Sequence, residues 1–473
     1  MGATITNADP QLPILPTGPG LPLSYQERSW WQSEHSGRLG YQLDNGAEGS
    51  VNTSTTFRVV GELDMDALQQ ALDRLVQRQE SLRTHFIITD GQPHRRVGGA
   101  VGVPMRQVDI SHLQAAERDE ELRRIATTAI LNHFDYEREV LLGPWVIRLA
   151  ANEHIVLLVV PHLVSDAVSL KTIMEETAVT YAHLVNGLQA PCEPLPLPYS
   201  AFVVSQYELV DRERARSIAD YYATRFKGTR ELIVKGRRPF SGQAPPRAAH
   251  VEFVLPKELT AQVLAQAKAF RVTPYIVLLS GFKALFALWS EQDDVLVHSH
   301  FSGRPEAYAG IVGLFAEICR LRTKLSGDPS FVEVVARVQE VVIEAFKYQW
   351  VPNAVLREVA ASQGETLPPA TVAMNSIPTD SSILPPEHRH LLDGKCDIRP
   401  YRLRLDDKAV QARTWCDLYL YTFIRSDTIG NRLVYRADLF EAETVRALTS
   451  AYIAVLQAAV ANPRSRLSDF PRP

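Results

Sequence analysis

Residues 154–167 read HIVLLVVPHLVSDA, and the fold is read outward from them. The run Ile155 to Val160 is apolar on both faces, so it reads as a central strand buried from both sides. Pro161 suits the end of that strand, because it fixes φ and offers no backbone donor. Beyond it, Leu170, Ile173, Met174, Thr177, Ala178, Tyr181, Leu184 and Val185 fall on one side of a long amphipathic helix. His162 and Asp166 therefore sit where a buried strand hands over to a helix. Rigid sheet ends of this kind carry reactive groups in α/β architectures. Histidine is the side chain best able to take a proton near neutral pH, and a carboxylate four residues on can organise the loop. In a chain with 13 histidines that spacing alone is ordinary; its setting is what singles it out.

The same alternation of strand and helix runs along the chain. Thr53 to Gly61 reads as a strand, Asp64 caps a helix bearing Leu68, Ala71, Leu72, Leu75, Val76 and Leu82, and Thr84 to Ile88 enters a hairpin at Asp90-Gly91. A helix is expected over Leu113 to Asn132 and a strand over Trp145 to Ala150. Four prolines crowd APCEPLPLPYS, residues 190–200, and neither a helix nor a central strand tolerates that. The domain junction is placed there. The second half gives strands at His250 to Leu255, Asp294 to Phe301, Thr371 to Asn375, Leu418 to Ile424 and Arg432 to Arg436. Its helices are Lys257 to Phe270, Thr273-Pro274 to Trp289, Phe331 to Tyr348 and Glu441 to Ala459. The expected organisation is an extended Pro-rich tail over 1–20, a first unit over 21–190 and a second over 200–473.

Length supports two units, since a single core rarely grows past about 250–300 residues and the chain has 473. A formal charge of −4 gives no global bias toward nucleic acid or anionic membrane. The apolar window Pro274 to Trp289 is interrupted by Lys283 and too short to span a bilayer. Four cysteines at 192, 319, 396 and 416 form no C-x-x-C pair and fit a reducing compartment, so a cytoplasmic location is expected. His298 and His300 share one strand face, but no cysteine or carboxylate trio accompanies them, so no metal site is assigned.

Seven blocks, in order, resemble the condensation domains of nonribosomal peptide synthetases. They are LSYQERSWW (Leu23 to Trp31), the helix block Gly61 to Phe86, HFDYEREVLLGPW (His133 to Trp145), PHLVSDA (Pro161 to Ala167), Val272 to Arg322 with its Gly-Arg-Pro, CDLYLYTF (Cys416 to Phe423) and YRADLFEAETV (Tyr435 to Val445). The resemblance implies an α/β (α+β) fold of two chloramphenicol-acetyltransferase-like subdomains in a V-shaped pseudo-dimer. It implies transfer of an acyl group, held as a thioester on a carrier protein's phosphopantetheine arm, to a small amine or alcohol. The carrier acts in trans, and the chain binds no cofactor of its own. His162 takes the catalytic place, and Asp166 a structural one, paired with Arg78 first or Arg83 second.

Four letters depart from the family pattern. Pro161 replaces the first signature His, Ala167 the signature Gly, Gln79 the His before Glu80, and Glu317 a frequent Asn. Pro161, Ala167 and Glu317 are expected along the substrate channel, where the Ala167 methyl would narrow or reroute it. Two rival readings remain. One is acyl-CoA-dependent transfer, weakened by the absence of the Asp-Phe-Gly-Trp block. The other is a degenerate, non-catalytic domain that recruits a partner enzyme, weakened by the retention of His162 and Asp166.

Overall fold

Ile155 to Val160 are each no more than 1 % exposed, as a strand apolar on both faces must be. In the computed structural model they lie in the strand Glu153–Pro161, third in a five-stranded sheet. The order is Cys396–Pro400, Asn52–Gly61, Glu153–Pro161, Gly143–Ala150, Arg106–Asp109, antiparallel except for the last pair. The helices Met65–Arg78, Ala115–Ile130 and Ala167–Leu184 contribute to the core built on this sheet. Described residues run from 20 to 472, except 36–40, 44–47, 50, 100–101, 192–193, 211–212, 240–247, 379–382, 404–409 and 413. The Pro-rich stretch before Gly20, and Cys192, lie outside them.

The second sheet has six strands, ordered Ala248–Val254, Ile429–Arg436, Leu418–Ile424, Val372–Pro378, Asp294–Phe301, Glu317–Lys324. Its core comes from the helices Lys257–Phe270, Pro274–Ser290, Phe331–Tyr348 and Ala442–Ala461. The last of these has the length and apolar content to cross a bilayer. Its Val445, Leu448, Tyr452, Val455 and Leu456 instead pack into this core. Lys283, which breaks the apolar run of Pro274–Ser290, is fully buried, and its Nζ donates to the carbonyls of Val295 and Leu321 on adjacent strands.

The chain does not divide into halves as simply as a cut at 190–200 implies. Cys396–Pro400, from the region 200–473, pairs antiparallel with Asn52–Gly61 and forms the edge of the first sheet. The junction also carries structure. Immediately after Pro198 the helix Tyr199–Val210 begins, and its first residue is fully buried. The Tyr199 hydroxyl donates to the Leu314 carbonyl (2.7 Å), and its ring lies under Arg95, 4.7 Å from the guanidinium carbon. Arg95 in turn lies buried between the carboxylates of Glu27 (3.1 Å) and Glu80 (3.4 Å). Burying one cation between two carboxylates is tolerable because each remaining polar atom finds a partner nearby. Glu80, for instance, accepts from the backbone and hydroxyl of Ser200.

Candidate active site

Pro161 is the last residue of its strand, and His162 opens a short 3-10 turn, His162–Val164. The His162 backbone N–H donates to the Val51 carbonyl (3.0 Å), which anchors the turn. The imidazole stacks on Trp30 of the helix Tyr25–His35, with centroids 4.1 Å apart and planes at 26°. Nδ1 is shut inside the protein with no hydrogen bond, whereas Nε2 is not enclosed. Burial pushes the His162 pKa below its usual value, so the ring is neutral at pH 7.

Asp166 ends the turn as the N-cap of Ala167–Leu184. Its Oδ1 accepts from the Ser169 backbone (2.8 Å), the Ser169 hydroxyl (2.9 Å) and Arg304 Nη2 (3.0 Å); its Oδ2 accepts from the Phe315 backbone (3.1 Å). The arginine on Asp166 is therefore Arg304, which corrects the expectation of Arg78 or Arg83. Arg78 lies instead against Glu176 (3.4 Å), and Arg83 donates to the Gly98 carbonyl. Arg304 also donates to the carbonyls of Tyr308 and Ile311, and its guanidinium carbon sits 3.9 Å from the Phe315 ring centre. Gly303 makes this approach possible. Its φ is +56°, and a Cβ there would fall 2.2 Å from the Phe315 carbonyl oxygen. The Gly-Arg-Pro letters were thus the available signal for Arg304.

The segment 310–315 is held to the first unit by several such contacts. Gln79 donates to the Gly310 carbonyl (3.0 Å) and accepts from the Val312 backbone (2.8 Å). The Ser169 hydroxyl donates to the Gly313 carbonyl (2.7 Å). The Gln that replaces the family's His is fully buried and makes a two-way amide clamp.

Glu317 and Ala167 meet different surroundings. Glu317 is 8 % exposed, and its carboxylate accepts from Gln26 Nε2 (3.1 Å) and the Ile318 backbone (3.0 Å). Gln26 is bonded in turn to Gln206 (2.8 Å). Burial drives the Glu317 pKa up to about 7. Its hydrogen bonds run to this amide network and not to His162 or Asp166. Ala167 is exposed at the first position of its helix.

From the second sheet, His298 and His300 lie on Asp294–Phe301. His298 is 1 % exposed, with neither ring nitrogen hydrogen-bonded. His300 is half-buried. Its Nδ1 lies 2.7 Å from the Tyr419 hydroxyl, and its ring meets Trp415 edge-on at 5.2 Å. The charge of His162 bears on His300, so the two sheets bring these imidazoles near each other. Sequence reasoning missed Trp30, Arg304, Tyr419 and this role of His300. Among the described residues no group of three or more His, Cys, Asp or Glu gathers as metal ligands.

Two mixed sheets with a strand-end His-x-x-x-Asp at their junction define an α/β protein of the condensation-domain superfamily. The chain belongs to the Condensation domain family, whose sequence model matches residues 35–471. It is 27 % identical over 462 residues to a linear gramicidin synthase of Brevibacillus parabrevis, covering 95 % of this chain. The chain spans 9 % of the length of that synthase. Its fold matches the teicoplanin X-domain solved in complex with OxyB, with TM-score 0.78, 23 % identity and coverage of 100 % of this chain and 99 % of that one. It also matches the SgcC5 protein of Streptomyces globisporus, with TM-score 0.74, 22 % identity and coverage of 94 % and 100 %.

Proposed function

We propose that this chain transfers an acyl group from a carrier protein's phosphopantetheine thioester to an amine or alcohol, with His162 as the base. The observation that carries this reading is the placement of His162. It stands at the end of a buried strand, with Nε2 open, in a turn whose far end is fixed by the Asp166–Arg304 bridge. The neutral imidazole takes the proton from the acceptor N–H or O–H as that atom attacks the thioester carbonyl. The new C–N or C–O bond forms, the C–S bond breaks, and the thiolate leaves with the proton from His162. Asp166 holds the loop rather than a proton, since its oxygens are engaged by Ser169, Arg304 and Phe315. Pro161 fixes the strand end behind the base, and the exposed Ala167 is the candidate wall of the substrate passage.

An alcohol acceptor stays within the reading, as SgcC5 was solved with an aryl ethanediol. The test is turnover of acyl thioesters by His162→Ala. The expected result is an unchanged circular dichroism spectrum and a loss of about 10²–10⁴ in kcat. Near wild-type turnover contradicts the base role.

A second reading is recruitment of a partner enzyme. It is favoured by the likeness to an X-domain solved with OxyB, and by Trp30 lying over the His162 ring. Binding of a folded partner by a chain that turns over no thioester would support it.

A further inference from the structure

The Asp166–Arg304 bridge joins two chain segments of similar build. Four residues before Asp166 stands His162; four residues before Arg304 stands His300, at the end of a strand of the other sheet. The bridge thus fixes how the two imidazoles face each other. Neither Nε2 is enclosed by protein, while one Nδ1 is buried and the other is held by Tyr419.

The hydrogen-bond chain behind His300 sets its tautomer. The Tyr419 oxygen receives a hydrogen bond from the Asn375 side chain and also touches the Tyr421 hydroxyl. A phenol is a good donor and a poor acceptor, whereas an imidazole nitrogen is a strong acceptor. Across 2.7 Å the proton therefore lies on Tyr419 and points at Nδ1. When Nδ1 accepts, the hydrogen of a neutral imidazole is on Nε2. Burial keeps the ring neutral, with a pKa of about 4, so His300 offers a donor and not a second base. Trp415, edge-on, fixes the ring orientation.

We propose that His300 Nε2–H is the hydrogen-bond donor to the thioester carbonyl oxygen, acting from the second sheet opposite His162. This rests on the acyl-transfer reading. While His162 takes the acceptor's proton, negative charge develops on the carbonyl oxygen as the tetrahedral intermediate forms. A preorganised neutral N–H on the facing wall stabilises that charge without altering which bonds form or break. His300 is then a catalytic residue, and Tyr419 is a positioning residue that acts through it.

The test combines kinetics with a readout of the tautomer. His300→Phe should lower kcat by about 10²–10³ with little change in KM for the loaded carrier. His300→Gln, which keeps an N–H donor, should recover much of the loss. Nitrogen-15 NMR of the folded wild-type chain should show His300 protonated at Nε2, and Tyr419→Phe should shift that signal and lower kcat by less than His300→Phe does. A proton found on Nδ1 overturns the proposal whatever the activity. Full turnover by His300→Phe overturns it while leaving acyl transfer intact. A wild-type chain that turns over no acyl thioester removes both readings together. If His300→Phe fails to fold, the comparison of Tyr419→Phe and His300→Gln with wild type decides by the same criteria.

Discussion

Both carboxylate oxygens of Asp166 are engaged in hydrogen bonds, one of them with an arginine whose side chain is 5 % exposed. Removing either member leaves a buried charge without its partner, at a cost of about 3–5 kcal/mol. Asp166→Ala should therefore lower the melting temperature more than His162→Ala. Arg78→Ala should cost much less than Arg304→Ala, because the Arg78–Glu176 pair is about a quarter exposed and such pairs contribute about 0–1 kcal/mol. Thermal unfolding of the four variants checks this; equal losses for Arg78 and Arg304 would contradict the assignment. Glu317 gives a prediction of a different kind. Its folded pKa of about 7 lies above the ordinary carboxyl value, so the fold retains a proton that the unfolded chain gives up. The associated stability is complete at pH below about 4.5 and is lost as pH rises through about 7, at a cost of about 3 kcal/mol. Glu317→Gln should thus gain stability relative to wild type between pH 5 and pH 8. A difference between the two melting temperatures that does not grow with pH would show that Glu317 is ionised in the fold.

At the scale of elements, the segment 310–315 depends on side chains from the first unit. Gln79→Ala leaves the Val312 N–H and the Gly310 carbonyl without that partner, a loss of about 1–3 kcal/mol per stranded group. Hydrogen exchange should quicken at Val312 before it quickens in the strand Glu153–Pro161. Unchanged protection at Val312 would mean that Gln79 is not the clamp. Elements with strong patterns were legible from the letters. Lys257–Phe270, Asp294–Phe301, Phe331–Tyr348 and Leu418–Ile424 have the ends that their periodicity and flanking residues predict. Tyr25–His35 was not read as a helix, because YQERSWWQSEH has no continuous apolar stripe. Cys396–Pro400 was missed because CDIRP has no alternation of its own; its strand exists only through pairing with Asn52–Gly61. The partner of Asp166 was misread for a related reason. Spacing places charges on an element, but the choice among arginines is made by the approach of residues 138 positions apart in sequence.

For the whole molecule, two sheets meet at one junction, and the groups there come from both. His162 and Asp166 come from the first, Arg304, His300 and Tyr419 from the second. Such a division suits a reaction between two substrates, since holding both at one point replaces a bimolecular encounter. The strand Cys396–Pro400 and the segment 310–315 limit how far the parts can separate. The donor is where acyl transfer by a condensation domain differs most from its rivals. A carrier offers binding surface remote from the carbonyl, and remote contacts can raise the rate of the chemical step. The decisive measurement presents the same acyl group on a carrier protein, on CoA and on a truncated pantetheine thiol, and compares kcat/KM. The loaded carrier should exceed both others, with a transient contact whose Kd is nearer micromolar than nanomolar. Equal use of acyl-CoA would contradict the carrier-fed reading, and turnover of none of the three would contradict acyl transfer itself.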